Sequence, residues 1–170
     1  MKTVLITGAG IGIGRGAALA FGAAGWRVIV TDVLDEEGAA VAEAIVAAGG
    51  AAEFHRLDVT STEQAEAVVA AVEKDHGALD ALICNAGIAH RVPLDRLTDE
   101  KWDHTFEIDL KGMIRVVRPA FPGMKAKGAG AIVCLSSIMG VAYGWDEHVH
   151  YSAAKSGVVG LVRGLAVELA

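Results

Sequence analysis

Residues 3–14, with the sequence Thr-Val-Leu-Ile-Thr-Gly-Ala-Gly-Ile-Gly-Ile-Gly, join a short apolar run to a cluster of glycines. The run at 3–6 predicts a strand, and the segment from Gly12 onward has the residue spacing of a helix. Glycine permits positive φ angles and lets other groups approach the backbone closely. The free N–H groups and the dipole of the following helix attract anions such as phosphates. The segment therefore predicts a strand, a tight turn and a helix whose start faces a phosphate-bearing ligand.

The alternation of strand and helix continues along the whole chain. Strands are predicted at 3–6, 27–31, 52–57, 79–84 and 131–135, and helices at 12–24, 35–48, 62–75, from 98 or 99 onward, and from about 150 to the end. This order predicts an α/β fold, a doubly wound parallel sheet of the Rossmann type with three α/β/α layers. Since no linker or repeat divides the sequence, residues 1–170 are predicted to form one domain.

Two local signals refine the predicted helices. Ser61 is predicted to cap the helix that follows it, with Gln64 as its capping-box partner three residues later. Pro119 and Pro122 are predicted to kink or end the long helix that begins near residue 98.

Composition excludes several kinds of partner. The 170 residues carry a net charge of −6 without a basic stripe, which argues against nucleic acid. No uninterrupted apolar run is long enough for a membrane span. Cys84 and Cys134 lie in apolar, strand-like runs and predict reduced core thiols in a cytoplasmic protein. No set of His, Cys and acidic residues has convincing zinc-ligand spacing, so no metal is expected.

Asp32 follows the second strand at a position that governs the choice of a dinucleotide cofactor. A carboxylate there can accept hydrogen bonds from the adenosine ribose and repels a 2′-phosphate. No Arg or Lys follows it directly, and none lies between Gly8 and Gly12, so NAD is predicted in preference to NADP. The alternative interpretations are that Asp32 is a solvated loop acid beside Asp35, and that the glycine cluster is a tight turn that binds nothing.

Tyr151 and Lys155 stand four residues apart and therefore share one face of the predicted last helix. A free tyrosine has a pKa of about 10 and is a poor base at neutral pH. A nearby ammonium stabilises the phenolate, so that the phenol can exchange a proton with an alcohol or a ketone. In isolation, such a pair is more often an ordinary surface feature of a helix.

Together these motifs resemble the short-chain dehydrogenase/reductase family, in its ordinary rather than its extended branch. The resemblance implies cofactor contacts from residues in four places along the chain: Thr7, Gly8, Gly12, Ile13 and Gly14 in the turn; Asp32; Asp58 and Val59 beside the adenine; and Asn85, Ala86 and Gly87 after the fourth strand. It further implies that Tyr151 is the catalytic acid/base, that Lys155 also holds the nicotinamide ribose, and that Ser137 anchors the reacting oxygen. Ser136 is the competing candidate for the serine, and Gly140, three residues after Ser137, favours Ser137.

The chain departs from the family pattern in two respects. Asp109, in Asp109-Leu110-Lys111-Gly112, stands where the family usually has an asparagine that supports the proton relay, so it is predicted as a modified catalytic residue. An ionised aspartate accepts hydrogen bonds but cannot donate them. The match also covers only about the front two-thirds of the family domain, so the chain is expected to be incomplete at its C-terminal end relative to the family.

These features predict an NAD-dependent oxidoreductase that transfers hydride between nicotinamide and a secondary alcohol or ketone. In relatives the long helix, here 102–117, and the final helix form the subunit interface, so a homodimer or homotetramer is expected. The alternatives are a non-catalytic NAD-binding or assembly protein and, with less support from the glycine spacing, an isomerase or dehydratase on the same scaffold. The sequence does not identify the small-molecule substrate.

Overall fold

A five-stranded parallel sheet forms the centre of the protein in a computed structural model that describes all residues, Met1–Ala170. The strands are β1 (Thr3–Thr7), β2 (Arg27–Asp32), β3 (Ala51–Arg56), β4 (Ala81–Cys84) and β5 (Ala131–Cys134). Their order across the sheet is β3-β2-β1-β4-β5, and all four pairings are parallel. Because the chain moves outward from β1 first in one direction and then in the other, the predicted doubly wound fold is confirmed.

Seven helices connect and cover these strands. They are α1 (Gly12–Ala23), α2 (Asp35–Ala47), α3 (Thr62–His76), α4 (Asp99–Asp109), α5 (Lys111–Lys127), α6 (Ile138–Val141) and α7 (Val149–Glu168). The sequence analysis missed the four-residue α6 and a 3₁₀ turn at Leu94–Arg96, both too short to produce a periodic pattern. None of the helices has the length and apolar character needed to cross a membrane.

The sheet has an apolar core on each face, because successive side chains of a strand point to opposite sides. On one face Leu5, Ile29 and Leu82 pack with buried side chains of α3 and α5. On the other face the alternate residues of the same strands, including Val4 and Val28, pack with buried side chains of α1 and α2. This double burial explains why the central strands are continuous apolar runs rather than alternating ones.

The start of α3 uses a variant of the predicted cap. Ser61 Oγ accepts a hydrogen bond from the backbone N–H of Gln64 at 3.2 Å, as predicted for the N-cap. The Gln64 side chain does not return to Ser61. Its Oε1 instead accepts the backbone N–H of Asp58 at 2.8 Å and so fastens the segment after β3 to the helix.

The predicted long helix is divided, and the division is not at the prolines. The helix is interrupted at Leu110, whose backbone has φ −121° and ψ −59°, and α5 then continues through both Pro119 and Pro122 to Lys127. The prediction that these prolines would kink or end the helix is therefore wrong in one part: the helix does not end at either proline. The buried apolar side chains of α5, Met113, Val116, Val117, Ala120 and Met124, explain the difference. Burying each of the larger side chains stabilises the folded protein by about 1.5–3 kcal/mol, whereas each proline in the helix interior destabilises it by about 3 kcal/mol.

The two cysteines lie side by side on β4 and β5, where Cys84 and Cys134 are register partners. Both are free thiols, Cys84 buried and Cys134 half-buried. A hydrogen bond with Cys134, together with burial, raises the pKa of the Cys84 thiol. Cys84 is therefore a protonated core group, in keeping with its predicted role as a small apolar residue.

We expect Pro122→Ala to stabilise the protein. Pro122 is exposed in the interior of α5, and alanine would restore an N–H able to bond to the Arg118 carbonyl. The free energy of unfolding, measured with urea, should rise by about 1–2 kcal/mol. Arg118→Ala, an exposed change in the same helix, serves as the control and should change stability by less than about 0.5 kcal/mol. A stability loss in Pro122→Ala would contradict the account of α5 given above.

Candidate active site

A cleft of about 450 Å³ opens at the carboxyl ends of the central strands. Its walls include nine of the residues that the sequence predicts for cofactor binding: Gly8, Gly12, Ile13, Asp32, Asp58, Val59, Asn85, Ala86 and Gly87. These residues come from four separate strand ends, which the parallel sheet brings to one edge. Ligands of open α/β sheets bind at this edge, where the chain changes direction across the sheet.

The glycine turn is shaped by close backbone contacts. Gly8 and Gly12 have φ angles of 63° and 57°, which other residues adopt rarely. A Cβ on Gly14 would lie 2.1 Å from the Gly8 carbonyl oxygen and 2.5 Å from Asn85 Nδ2. The N-cap of α1, Ile11, makes no side-chain hydrogen bond, and the first turn of the helix has no acidic residue. This bare helix start beside the cleft fits the phosphates of a dinucleotide.

Thr7 and Asn85 join the ends of β1 and β4. Thr7 Oγ1 accepts the backbone N–H groups of Asn85 at 3.0 Å and Ala86 at 3.1 Å. In the opposite direction, Asn85 Nδ2 donates to the Thr7 carbonyl oxygen at 3.0 Å and to the Gly8 carbonyl oxygen at 2.9 Å. Thr7 thus contributes to the site by fixing the glycine turn, and it does not line the cleft itself.

Asp32 is buried, with 6% of its surface exposed. Its Oδ2 accepts the Gly10 N–H at 2.8 Å and its Oδ1 accepts the Leu34 N–H at 3.1 Å. The carboxylate therefore connects the end of β2 to the glycine turn, and it also borders the cleft. This burial excludes the alternative interpretation of Asp32 as a solvated loop acid.

Asp58 borders the cleft on the side of β3. Its Oδ1 accepts hydrogen bonds from the backbone N–H of Thr60 at 2.9 Å and from Thr60 Oγ1 at 2.7 Å. The backbone hydrogen bond from Thr60 lowers the pKa of Asp58. The neighbouring Val59 packs against Gly112 at the start of α5, where a Cβ would lie 2.8 Å from Val59 Cγ2. The rim of the cleft at Asp58 and Val59 is therefore rigid.

Lys155 is a buried ammonium between α7, the sheet and α4. Its side chain is 5% exposed, and Nζ donates to the Leu135 carbonyl oxygen at 3.0 Å. Nζ also lies 3.2 Å from Asp109 Oδ2 and 5.6 Å from the centre of the half-buried Tyr151 ring. The predicted pair of Tyr151 and Lys155 is thus an inward-facing pair, which the surface-helix interpretation does not explain.

Asp109 is fully buried and faces both the loop after β4 and Lys155. Its Oδ1 accepts the Ile88 N–H at 2.8 Å. Its Oδ2 is close enough to Lys155 for an ion pair but lacks hydrogen-bond geometry to any partner. Burial raises the pKa of Asp109, and the Lys155 charge opposes that shift. Asp109 therefore holds the loop after β4 and partly balances the buried ammonium.

Gly87 separates the cleft from this charged pair. A Cβ on Gly87 would lie 3.2 Å from both Asp109 Oδ2 and Lys155 Nζ. The glycine is exposed, so the backbone here is the thin boundary between the cleft and the buried ammonium. Because Gly87 has no side chain, the predicted catalytic residues Lys155 and Asp109 can lie close to the predicted cofactor-binding residues of the cleft wall.

The two candidate serines have different environments. Ser136 Oγ donates to the Lys155 carbonyl oxygen at 2.7 Å, which uses its hydroxyl hydrogen within the protein. Ser137 Oγ accepts the Met139 N–H at 3.2 Å and keeps its hydrogen available for another group. Gly140 packs on the backbone of α7, where a Cβ would lie 2.5 Å from the Lys155 carbonyl carbon. The geometry favours Ser137 as the serine that could bind a substrate oxygen.

His148 and His150 lie just before Tyr151 in the chain, and both are buried. His150 is 1% exposed, and its Nδ1 has no hydrogen-bond partner. Burial lowers the pKa of His150, which favours the neutral imidazole. The His148 ring contacts the Tyr151 ring edge-on at a centroid distance of 6.2 Å. In the sequence, the only sign that these histidines lie near the site is their position shortly before Tyr151.

A larger cleft, of about 620 Å³, lies on the outer side of β5 between the ends of α5 and α7. It contains none of the predicted catalytic or cofactor-binding residues. No group of three or more His, Cys, Asp or Glu side chains is arranged to hold a metal ion. The first cleft is thus lined by predicted cofactor-binding residues, whereas the predicted catalytic residues Ser137, Tyr151, Lys155 and Asp109 lie outside its lining.

The sheet topology, the glycine turn and the buried charge beside Tyr151 define a dinucleotide-binding α/β protein. The chain belongs to the short-chain dehydrogenase family, whose model matches residues 2–170. This family membership agrees with the resemblance noted in the sequence, and the relatives described next are named as reductases and dehydrogenases.

Several named proteins are similar to this chain in sequence or in structure. The chain is 37% identical over 171 residues to a 3-oxoacyl-(acyl-carrier-protein) reductase, FabG, of Aggregatibacter actinomycetemcomitans, covering 99% of this chain and 70% of the relative. It is 40% identical over 174 residues to a trans-4-hydroxycyclohexanecarboxylate dehydrogenase of Sinomonas cyclohexanicum, covering 99% of this chain and 66% of the relative. A crystal structure of a 3-ketoacyl-ACP reductase from Sinorhizobium meliloti 1021 superposes with a TM-score of 0.94 at 38% identity, covering 98% of this chain and 66% of the other. The chain thus spans roughly two-thirds of the length of these relatives.

We expect Gly14→Ala to destroy the turn while Gly16→Ala leaves it intact. The added Cβ at position 14 would collide with the Gly8 carbonyl, whereas at position 16 it meets nothing within 4 Å. Gly14→Ala should lower the free energy of unfolding by about 2 kcal/mol or more and abolish saturable NADH binding. Gly16→Ala should raise the free energy of unfolding by about 0.5–1 kcal/mol, since alanine is the better helix former. Urea unfolding and NADH titration measure both, and wild-type NADH affinity in Gly14→Ala would contradict the role given to the turn.

Proposed function

We propose that the protein is an NAD-dependent dehydrogenase/reductase that interconverts a secondary alcohol and a ketone. The observation that carries this proposal is the buried Lys155 ammonium, which lies beside the Tyr151 ring and close to Gly87 in the wall of the glycine-lined cleft. Lys155 and Asp109 form a buried charge pair, which is costly to desolvate and contributes little net stability, so its position next to a phenol favours a functional role. When bound in the cleft, the nicotinamide cofactor would supply or accept the hydride.

Tyr151 is the proposed general acid/base. Its Oη would take a proton from the alcohol in oxidation and return one to the ketone oxygen in reduction. The Lys155 ammonium lies 5.6 Å from the centre of the Tyr151 ring, and its hydrogen bond to the Leu135 carbonyl fixes the lysine in that position. The half-buried state of Tyr151 leaves the ring accessible from outside while the ammonium stays shielded from water.

Ser137 is the proposed anchor for the reacting oxygen. Its hydroxyl accepts one backbone N–H and retains its own hydrogen, so it could donate that hydrogen to a substrate oxygen. Such a bond would hold the oxygen in position for proton exchange. Ser136 instead fastens its loop to α7 through the Lys155 carbonyl.

The cofactor preference is proposed on the basis of Asp32. Its carboxylate borders the cleft and is fixed by two backbone N–H groups, yet each oxygen retains a lone pair for a ribose hydroxyl. A fixed negative charge there would repel a 2′-phosphate. We therefore propose NAD rather than NADP as the cofactor.

The substrate class follows from the names of the relatives and from the acid/base. One relative is named as a reductase of 3-oxoacyl groups and another as a dehydrogenase of a hydroxycyclohexane carboxylate. A ketone or a secondary alcohol is the reacting group common to these names. We propose that the present chain acts on this same reacting group. We propose neither of the two particular substrates for it.

Assembly and location are also proposals. Helices α4 and α7 pack against each other, and Trp102 stacks on Phe106 at 4.8 Å on α4. We propose that these helices, together with the start of α5, form the interface of a homodimer or homotetramer. The two free thiols support a location in the reducing cytoplasm.

Binding of NADH to the 170-residue chain provides the first test. Energy transfer from Trp26, Trp102 and Trp145 to bound NADH reports on binding, and NADPH serves as the comparison ligand. Saturable binding that favours NADH, followed by NADH formation from added secondary alcohols, would support the dehydrogenase. Binding without any net oxidation or reduction would favour the alternative, a non-catalytic NAD-binding protein.

We expect Tyr151→Phe to remove catalysis but not cofactor binding. The variant lacks only the hydroxyl that exchanges the proton, and a general acid/base contributes about 10²–10⁴-fold to a rate. The rate of NADH formation should fall at least about 100-fold, while the Kd for NADH should stay within about twofold. Retention of wild-type turnover would exclude Tyr151 as the acid/base.

We expect Asp109→Asn to preserve or raise turnover. The amide can still accept the Ile88 N–H, and it removes a negative charge that opposes the effect of Lys155 on Tyr151. The measurement is kcat and KM with NAD and the best alcohol substrate, beside Asp109→Ala, which also removes the hydrogen bond to Ile88. A large loss of turnover in Asp109→Asn would mean that the carboxylate itself is required.

A further inference from the structure

A guanidinium lies beside the proposed ribose site, although no basic residue is near Asp32 in the sequence. Arg56 is the last residue of β3, and the register of β2 and β3 makes it the partner of Asp32. Its Nη1 donates to the Val33 carbonyl oxygen at 2.7 Å. Since both Asp32 and Val33 line the cleft, this cation is at the rim of the proposed cofactor site.

One carboxylate neutralises this cation. Arg56 Nη1 also donates to Asp35 Oδ2 at 2.8 Å, where Asp35 is the first residue of α2. Asp32 makes no contact of this kind, because both of its oxygens accept backbone N–H groups at the glycine turn and at Leu34. The side chains of Arg56 and Asp35 are 55% and 59% exposed, so the pair is accessible to a ligand at the rim.

We propose that Asp35 and Arg56 form a second determinant of cofactor selectivity, in which Asp35 neutralises a cation that would otherwise be free to bind a 2′-phosphate. This inference rests on the proposed function, since it requires a dinucleotide in the cleft. An arginine presents a planar fork of N–H donors that suits phosphate oxygens, and without Asp35 that fork has only the Val33 carbonyl as a partner. Selectivity for NAD then depends on repulsion by Asp32 and on neutralisation by Asp35.

Asp35→Asn is the variant that tests this inference. It releases Arg56 from its charged partner and retains the size of the side chain. The Kd for NADPH and for NADH would be measured by isothermal calorimetry on wild type and variant. Exposed charge pairs are worth about 0.2–1 kcal/mol, so we expect NADPH affinity to rise up to about fivefold, and NADH affinity to change less than about 1.5-fold. The gain should shrink when the salt concentration is raised from about 0.05 M to about 0.5 M, because salt screens exposed charges.

Two further variants separate Arg56 from the general loss of negative charge. Glu37→Gln removes the same charge from the same first turn of α2, where Glu37 has no contact with Arg56. It should leave the ratio of NADPH to NADH affinity near the wild-type value. The double variant Asp35→Asn/Arg56→Gln should lose the NADPH gain. Circular dichroism and thermal unfolding establish that each variant is folded.

The possible failures are distinguishable. If wild type binds NADH and Asp35→Asn gains no NADPH affinity, the selectivity pair is refuted while the proposed function stands. The pair is equally refuted if Glu37→Gln or the double variant shows the same gain as Asp35→Asn. If the folded wild type binds neither cofactor, the proposed function fails and the inference fails with it.

Discussion

The side-chain amide of Asn85 holds the carboxyl ends of β1 and β4 together, and both halves of the site depend on it. Its two N–H groups satisfy the carbonyls of Thr7 and Gly8, which holds the glycine turn in its positive-φ conformation. The same residue leads through Ala86 into Gly87, which covers the Lys155 ammonium. Because buried polar groups must be paired, the turn and the loop after β4 stabilise each other. A cofactor surface and an acid/base are thereby built from one contact between neighbouring strands.

The buried charges of the site reflect a compromise. Removing the Lys155 ammonium from water is expensive, and the Leu135 carbonyl and the Asp109 carboxylate compensate for the loss. A carboxylate compensates more strongly than an amide would, but its negative charge also weakens the influence of the lysine on Tyr151. The raised pKa of Asp109 indicates that burial penalises this charge in turn. The site thus holds a buried ammonium and a buried carboxylate that partly neutralise each other.

Much of the fold could be predicted from the sequence because it is encoded locally. The strands are apolar runs, the helices are periodic, and the glycine turn has a distinctive spacing, so most of the boundaries in the structure differ from prediction by one or two residues. The failures arise from tertiary contacts. The packing of α5 overrides Pro119 and Pro122, which stand inside a continuous helix. Arg56 could not be found by inspecting the neighbours of Asp32, because strand pairing alone brings it there.

The hydrogen bonds between Thr7 and Asn85 join residues 78 positions apart, and this separation affects how the chain folds during synthesis. β1 can pair with β2 once residue 32 is available, because that pairing is closer in sequence. The turn after β1 acquires its final shape only when β4 has emerged and docked beside β1, since contacts between distant residues form late and slowly. A nascent chain shorter than about half of the protein therefore contains the whole glycine motif but lacks the amide that shapes it. Such a shorter chain consequently leaves one edge of β1 unpaired until β4 arrives, and an unpaired strand edge is open to pairing with another chain.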